Sequence, residues 1–427
     1  MQVFKRLLKY QKYVVFFGLL FTMYVFLIPK SGHPYDNYCW KEWAKFIFSH
    51  GLNNAYKGST DYLPLYQYVL FLFGKFQGSP ENIDNYIHYL RIVTLAFDFI
   101  AGFFFIRFIN SKFNSLDKSF FYVCFLFLNI AFLYNSLIWG QVDGIMTCLV
   151  FMSFYFAVKQ RGLIALIFMI LSINFKLQAI IFLPLIMLLL IPALVQKFTL
   201  KRLLIWLFIP IVLEFLIVLP FLMAGDLGKV WKVVSGYIDN YPMVSANAYN
   251  LWTWLINGNL GEISDGGLFF SISYKHWGLL MFFSLSLLAL IPLIKVILSF
   301  LFGRAETTLD NRKIVIIAAL IPLLFFFCNT QMHERYSHPA IIFLALYSIM
   351  SGKYLPYILG SIAYVLNLEG VLKYFQLRNY NTFIFEPRFV SFIYFVTIIY
   401  LFLDLYDFKI VSTRRMYSNK ITEVAKN

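Results

Sequence analysis

The chain has 427 residues, of which 60% are hydrophobic and only 13% charged, with a formal net charge of +15. A soluble protein of this size carries roughly 25% charged residues, so an ordinary soluble domain is excluded. The positive excess raises the question of a nucleic-acid or acidic partner, and its distribution along the chain answers it in the negative.

Long uncharged runs recur from one end to the other, and runs of this length and apolarity read as transmembrane helices. The basic stretch Lys5, Arg6, Lys9 and Lys12 precedes the first run, Val14 to Ile28. The residues after it, Pro29-Lys30-Ser31-Gly32, hold no small-x-small cleavage site, so an uncleaved first helix is expected. Further spans are expected near 88–106, 119–134, 143–158, 162–175, 177–195, 203–223, 276–300, 314–328, 338–350, 354–367 and 388–406. The fold class is therefore an all-α polytopic membrane protein in one domain, 1–427, with about twelve (eleven to thirteen) spans of the length a bilayer requires.

Between the first two spans lies a large loop, 29–87. Its part DNYCWKEWAKFIFSHGL spaces Tyr38, Trp40, Trp43, Phe46 and Ile47 as an amphipathic helix at a membrane surface. Tyr62 to Lys75 is apolar but too short to cross, with Pro64 in its first turn, and reads as a helix on or dipping into that surface. A second large loop covers 224–275, and a basic tail covers 407–427.

With the N-terminus in the cytoplasm, most of the 36 Lys and Arg fall in short cytoplasmic loops and the tail. They include Arg107/Lys112/Lys118, Lys159/Arg161, Lys197/Lys201/Arg202, Arg304/Arg312/Lys313 and Arg414/Arg415. The excess charge is thus a positive-inside signature, with both termini cytoplasmic. Four cysteines, Cys39, Cys124, Cys148 and Cys328, show no CxxC or metal-ligand spacing and read as packing residues.

Polar islands gather on the opposite, extracytoplasmic face. Asp36 follows the first span; a carboxylate there suits proton abstraction from a hydroxyl, and equally suits the cap of the helix after it. Asp61 precedes Tyr62-Leu63-Pro64-Leu65, where a turn and helix start is the ordinary reading. Trp139-Gly140-Gln141-Val142-Asp143-Gly144 offers a ring for a sugar face and polar groups for hydroxyls, beside the reading of a belt tryptophan and cap. Lys176 stands alone between two apolar runs, so its ammonium is expected near the membrane surface, either snorkelling or binding phosphate.

Met332-His333-Glu334-Arg335-Tyr336, in the segment NTQMHERYSHPA, is the densest cluster. A guanidinium binds phosphate in bidentate fashion and stays charged. His333 and His338 stand near it, with His338 also a candidate cap for the following helix. No DxD pair, no HExxH and no i,i+4 His pair occurs, so no metal is assigned, although a divalent ion is left open, and no cofactor is expected.

Taken together, Asp36, Asp61-Tyr62-Leu63-Pro64-Leu65, Trp139-Gly140-Gln141-Val142-Asp143, Lys176-Leu177-Gln178 and Met332-His333-Glu334-Arg335-Tyr336 resemble, in order and topology, a known family. They resemble bacterial members of the GT-C class of integral-membrane glycosyltransferases, on the branch of the mannosyltransferases of glycosylphosphatidylinositol assembly. The resemblance implies an inverting transfer of a hexose, mannose first, from a polyprenyl-phosphate donor to a lipid or glycan acceptor outside the plasma membrane. It implies that Arg335, Lys176 and His333 hold the donor phosphate. It implies sugar or acceptor contacts from Trp139, Gln141, Asp143, Gln178, Asn247, Tyr249 and Glu334. Relatives often carry paired acids in the first loop, whereas Asn37 follows Asp36 here, so the base stays open between Asp36 and Asp61. Two rivals remain: a ligase or polymerase using pyrophosphate-linked donors, and a lipid-linked sugar transporter.

Overall fold

The computed structural model describes residues 2–113, 115–196, 198–236, 241–303 and 310–408. Lys197, Arg304 and nearly all of the basic tail, including Arg414 and Arg415, lie outside the described residues. Among the described residues, seven helices are long and apolar enough to cross a membrane: Pro80–Phe113, Leu177–Gln196, Leu200–Met223, Tyr274–Leu301, Asn311–Cys328, Leu355–Leu372 and Pro387–Leu405. Four more apolar helices are shorter: Gln11–Phe26, Asp143–Val158, Gly162–Phe175 and His338–Ser351. The chain is an all-α, polytopic membrane-embedded protein.

Burial sorts these helices. Asp143–Val158, Asn311–Cys328 and His338–Ser351 are buried almost all round and form the centre. Their sequences lack a polar stripe for this reason, since no face meets water. Leu200–Met223 exposes most of its apolar surface and stands at the rim.

The span expected at 119–134 is different. Leu116–Phe127 and Ile130–Trp139 meet at a 63° bend. Asn129 causes the break: its side-chain oxygen accepts from Ala131 N (2.9 Å), and its amide donates to Tyr357 Oη (2.7 Å) and Ser361 Oγ (2.8 Å). A polar side chain that finds partners off its own helix competes with the helical ladder. The second limb closes as a π-turn over Tyr134–Trp139, ended by Gly140 at φ 88°. That turn delivers Trp139 and Gln141 to the site.

The first loop is ordered. Helices Pro34–His50, Pro64–Gln77 and Pro80–Tyr86 pack on one another, and the first two also meet the rim helix Leu200–Met223 through neighbouring turns. Trp40, Trp43, Ala44 and Ile47 form the inward face of the first of them. Tyr38 does not join that face and is 62% exposed, because two residues of α-helix turn it about 200° from Trp40. Arg91 ties the loop to the bundle. Its guanidinium donates to Pro29 O (2.7 Å) and Ser31 O (2.7 Å), and Gly32 and Gly140 pack so close that a side chain on either would collide with it.

In the second large loop, Ser245–Ala246 pairs in parallel with Met332–His333, and Leu268–Phe269 pairs with Ile272–Ser273 in a hairpin. These loops meet at one end of the bundle. The other end carries Arg312, Lys313 and Lys353, tied to Asp404 and Asp407.

Close packing in the first turn of Asp143–Val158 leads to a stability prediction. A Cβ on Gly144 would meet Asp98 Oδ1 at 2.7 Å, Ser136 Oγ at 2.8 Å and Thr94 Cγ2 at 2.8 Å, whereas one on Gly18 meets nothing within 4 Å. Gly144→Val is expected to destabilise by about 1–3 kcal/mol through overpacking. Gly18→Val should change thermal unfolding in lipid nanodiscs far less, and equal shifts would contradict the packing.

Candidate functional site

The cluster starts from Asp143, the first residue of its helix and fully buried. The Lys176 ammonium hydrogen-bonds its Oδ1, and Arg335 Nε lies 3.6 Å from its Oδ2. A buried charge without partners costs several kcal/mol, and here one carboxylate answers two cations from two other segments.

Lys176 reaches inward because the helix Gly162–Phe175 ends one residue before it, in extended backbone (φ −156°, ψ 123°). Its side chain is 2% exposed, so it does not snorkel to the surface. A fixed carboxylate and a ring face replace the water it gives up, the ring being Tyr336 with its centroid 4.5 Å from Nζ. Gln178, in the same turn, donates to Tyr336 O (2.7 Å). Lys176 is therefore a partner for Asp143 in this structure rather than a group facing the outside.

Arg335 lies between Trp139 and Tyr336, 6.0 Å and 5.8 Å from the ring centroids, and donates to Glu334 Oε1 at 2.8 Å. The segment that carries it is strapped from outside. Gln331, at φ 62°, donates its backbone N–H to Met243 O and Val244 O, and Asp265 accepts from Thr330 Oγ1 (3.2 Å) and Gln331 Nε2 (2.7 Å). Burial raises the Glu334 carboxyl from its ordinary value even beside Arg335. Burial, with Arg335 and Lys176 near by, holds the His333 imidazole well below its usual value, so it stays neutral. His333 packs against Tyr241 (5.0 Å) and Tyr336 (5.1 Å).

Asp36 is the second centre. It lies in the first turn of Pro34–His50, whose cap position is His33, so it is not the cap. Its carboxylate turns away from the helix. Trp139 Nε1 (3.0 Å) and Gln141 Nε2 (2.5 Å) both donate to Oδ2, and His33 Nδ1 lies 3.2 Å from the same atom. Oδ1 receives none of these groups. Burial alone would raise this carboxyl, but His33, the Arg335 guanidinium and the Trp139 indole together hold it well below the usual carboxylate range. The His33 ring stacks on Trp139 at 5.0 Å.

Asp61 is placed otherwise. It is solvent-exposed and bonds to no other side chain among the described residues. Nor does it start the next helix: Thr60 holds the turn, accepting from Tyr62 N (3.3 Å) and Gln67 Nε2 (2.9 Å). Although its side chain reaches solvent, the protein packed around it thins its hydration, and this with the nearby Asp36 charge raises its carboxyl above the ordinary value. Its neighbour does the connecting, since Tyr62 Oη donates to Gln141 Oε1 at 2.9 Å.

Asn247 and Tyr249 are held by Asn367. Asn367 donates to Asn247 O and accepts from Tyr249 N, both at 2.9 Å. Asn247 and Tyr249 line a cavity of about 350 Å³ with Ser245, Asn257, Glu386 and Arg388. His338 does not cap its helix; Ser337 occupies that position. The His338 ring is buried between Phe132 and Tyr364, 5.7 Å from each.

Three contributors escaped the sequence reading as site residues: His33, Tyr241 and Asn367. His33 had a signal, three residues before Asp36 on one helical face. Asn367 had one too, a fully buried amide within an apolar run. Tyr241 had none. Among the described residues no group of three or more His, Cys, Asp or Glu could hold a metal ion. No family model matches the chain, and no curated protein matches it at a significant level.

Removing Asp143 should therefore strand Lys176 and leave Arg335 with Glu334 alone. Asp143→Ala is expected to cost about 3–5 kcal/mol, as for other broken buried pairs. Adding Lys176→Met should restore part of that loss in chemical unfolding. A single variant as stable as wild type would refute the arrangement.

Proposed function

We propose that the protein is an inverting glycosyltransferase with about twelve spans, similar to the GT-C class, that uses a polyprenyl-phosphate-linked hexose on the extracytoplasmic face. The observation that carries the proposal is that Asp36 and Arg335 both meet Trp139, the first at its indole N–H and the second 6.0 Å from its ring centroid. The site offers a carboxylate whose Oδ1 takes no hydrogen bond among the described residues, together with a guanidinium. Asp143 and Lys176 neutralise each other, and Arg335 is held in place by Glu334. The Asp36 carboxylate and the Arg335 guanidinium suit a ligand with a phosphate at one end of the reacting bond and a hydroxyl at the other.

In this reaction the acceptor oxygen attacks the anomeric carbon opposite the phosphate, so the configuration inverts. The new C–O bond forms as the bond from carbon to phosphate oxygen breaks, and that electron pair leaves with polyprenyl phosphate. The acceptor proton passes to Asp36 Oδ1 and then to water. A carboxylate this acidic is a weak base toward a free alcohol, so the proton moves late, once the attacking oxygen has begun to bond carbon. Arg335 stabilises the phosphate charge as it grows, the kind of fixed electrostatic aid that dominates such steps. Trp139, Gln141, Asn247 and Tyr249 are assigned to sugar and acceptor, and Asp61 to the solvent-exposed edge of the site. The positive-inside pattern supports cytoplasmic termini.

The test is transfer by the purified protein from polyprenyl-phosphate mannose or glucose to a cell-envelope lipid extract. Asp36→Asn should lower kcat/KM by about 10²- to 10⁴-fold, the usual worth of a positioned base, and Asp61→Asn by far less. Arg335→Gln should cost about 10²-fold or more, chiefly in kcat. Absence of transfer from any monophosphate donor would sink the proposal.

The acid limb separates the two candidate bases. A base with a lowered pKa stays ionised as pH falls, so with Asp36 as base kcat/KM holds steady down to about pH 4, near the ordinary Asp value. With Asp61 as base, the rate would begin to fall at a pH above that value.

A further inference from the structure

A second feature adjoins this scheme at the same end of the bundle. Beside the N-terminal end of the long apolar helix Pro387–Leu405 lies a cavity of about 640 Å³. One wall is aromatic, formed by Trp254, Phe383, Phe389 and Phe392, and three of these are exposed: Trp254 (37%), Phe383 (70%) and Phe392 (49%). Its polar end carries Asn257, Glu386 and Arg388. These same three residues border the smaller cavity of Asn247 and Tyr249, so the two spaces adjoin.

The polar end is built. Arg388 Nε donates to Thr253 O (3.2 Å) and Nη2 to Asn257 Oδ1 (2.5 Å), while Trp254 Nε1 donates to Arg388 O (3.0 Å). Glu386 Oε2 accepts from Phe389 N (2.8 Å). Both charged groups are thereby oriented, yet no ion pair joins them to each other or to another residue among those described. Opposite charges two positions apart that orient on neutral partners leave a cation and an anion facing one cavity. A guanidinium suits a phosphate, and a carboxylate suits an ammonium a few atoms further along. The exposed aromatic wall, continuous with a membrane-crossing helix, suits acyl chains at the interface.

We propose that this groove is a binding site for a zwitterionic, amine-bearing phospholipid of the phosphatidylethanolamine type. Arg388, supported by Asn257, holds the phosphate, Glu386 holds the ammonium, and the acyl chains lie along Trp254, Phe389 and Phe392. Charge complementarity chooses the occupant: an anionic headgroup would leave Glu386 opposed, and a quaternary amine gives it no N–H to accept. The site stands apart from the transferase reading, and a protein inactive in sugar transfer would still carry it.

The test uses the full-length protein in phosphatidylcholine nanodiscs doped with diazirine-tailed probes of phosphatidylethanolamine, phosphatidylglycerol or phosphatidylcholine at equal mole fraction. Crosslinks are mapped by peptide mass spectrometry. The phosphatidylethanolamine probe should label the 383–392 segment and the peptide of Trp254 severalfold more than either other probe. Arg388→Gln should bring that label down to the phosphatidylcholine level, and Glu386→Gln should erase the preference over phosphatidylglycerol. Equal labelling by the three probes in wild type would overturn the proposal whatever the variants do. So would a preference for phosphatidylglycerol.

Discussion

The buried Asp143 carboxylate is the constraint on which the rest of the candidate site depends. It meets Lys176 from the turn after one helix and Arg335 from the segment before another, while its own helix fixes it to the turn that carries Trp139 and Gln141. Three stretches distant in sequence are thus held to one point by charges that have no solvent to fall back on. The order then spreads outward. Arg335 is fixed against Trp139, Trp139 and Gln141 fix Asp36, and Gln141 fixes Tyr62. A chain of donors and acceptors of this kind preorganises an ionised carboxylate and a guanidinium before any ligand arrives, and preorganisation is what lets such groups act on a developing charge.

The membrane sharpens the same logic. The central helices are buried nearly all round, so their ends are the only places where polar chemistry is cheap to keep. Polar side chains sit there in numbers, and the second large loop closes over them through the pairing of Ser245–Ala246 with Met332–His333. The far end of the bundle shows the contrast. Its charges pair near the surface as Arg312 and Lys353 with Asp404, where they fasten helix ends.

Much of this was legible in the sequence, for identifiable reasons. Uncharged runs gave the apolar helices, because hydropathy over a span sums many residues and tolerates local error. Trp40, Trp43 and Ile47 were readable as one face because helical spacing alone decides it, and Tyr38 was misjudged by the same rule applied loosely. The bend at Asn129 was missed because its partners, Tyr357 and Ser361, are more than 200 residues away. The local sequence around Lys176, two apolar runs with only Asn174 and Gln178 as polar neighbours, points its ammonium to the membrane surface; its inward turn is decided by Asp143, which no local pattern reveals. The two first-loop acids looked alike in sequence. Only tertiary contacts separate them, since Asp36 meets Trp139, Gln141 and His33 while Asp61 faces solvent.

The central claim is that this end of the bundle is a phosphate-recognising centre organised around Arg335. Its most direct test is equilibrium binding of two ligands to the purified wild-type protein in nanodiscs: a polyprenyl phosphate and the neutral polyprenol of the same length. The account predicts tighter binding of the phosphate by at least about tenfold, the worth of one charge-assisted hydrogen-bond pair. Equal affinity for the two would contradict it.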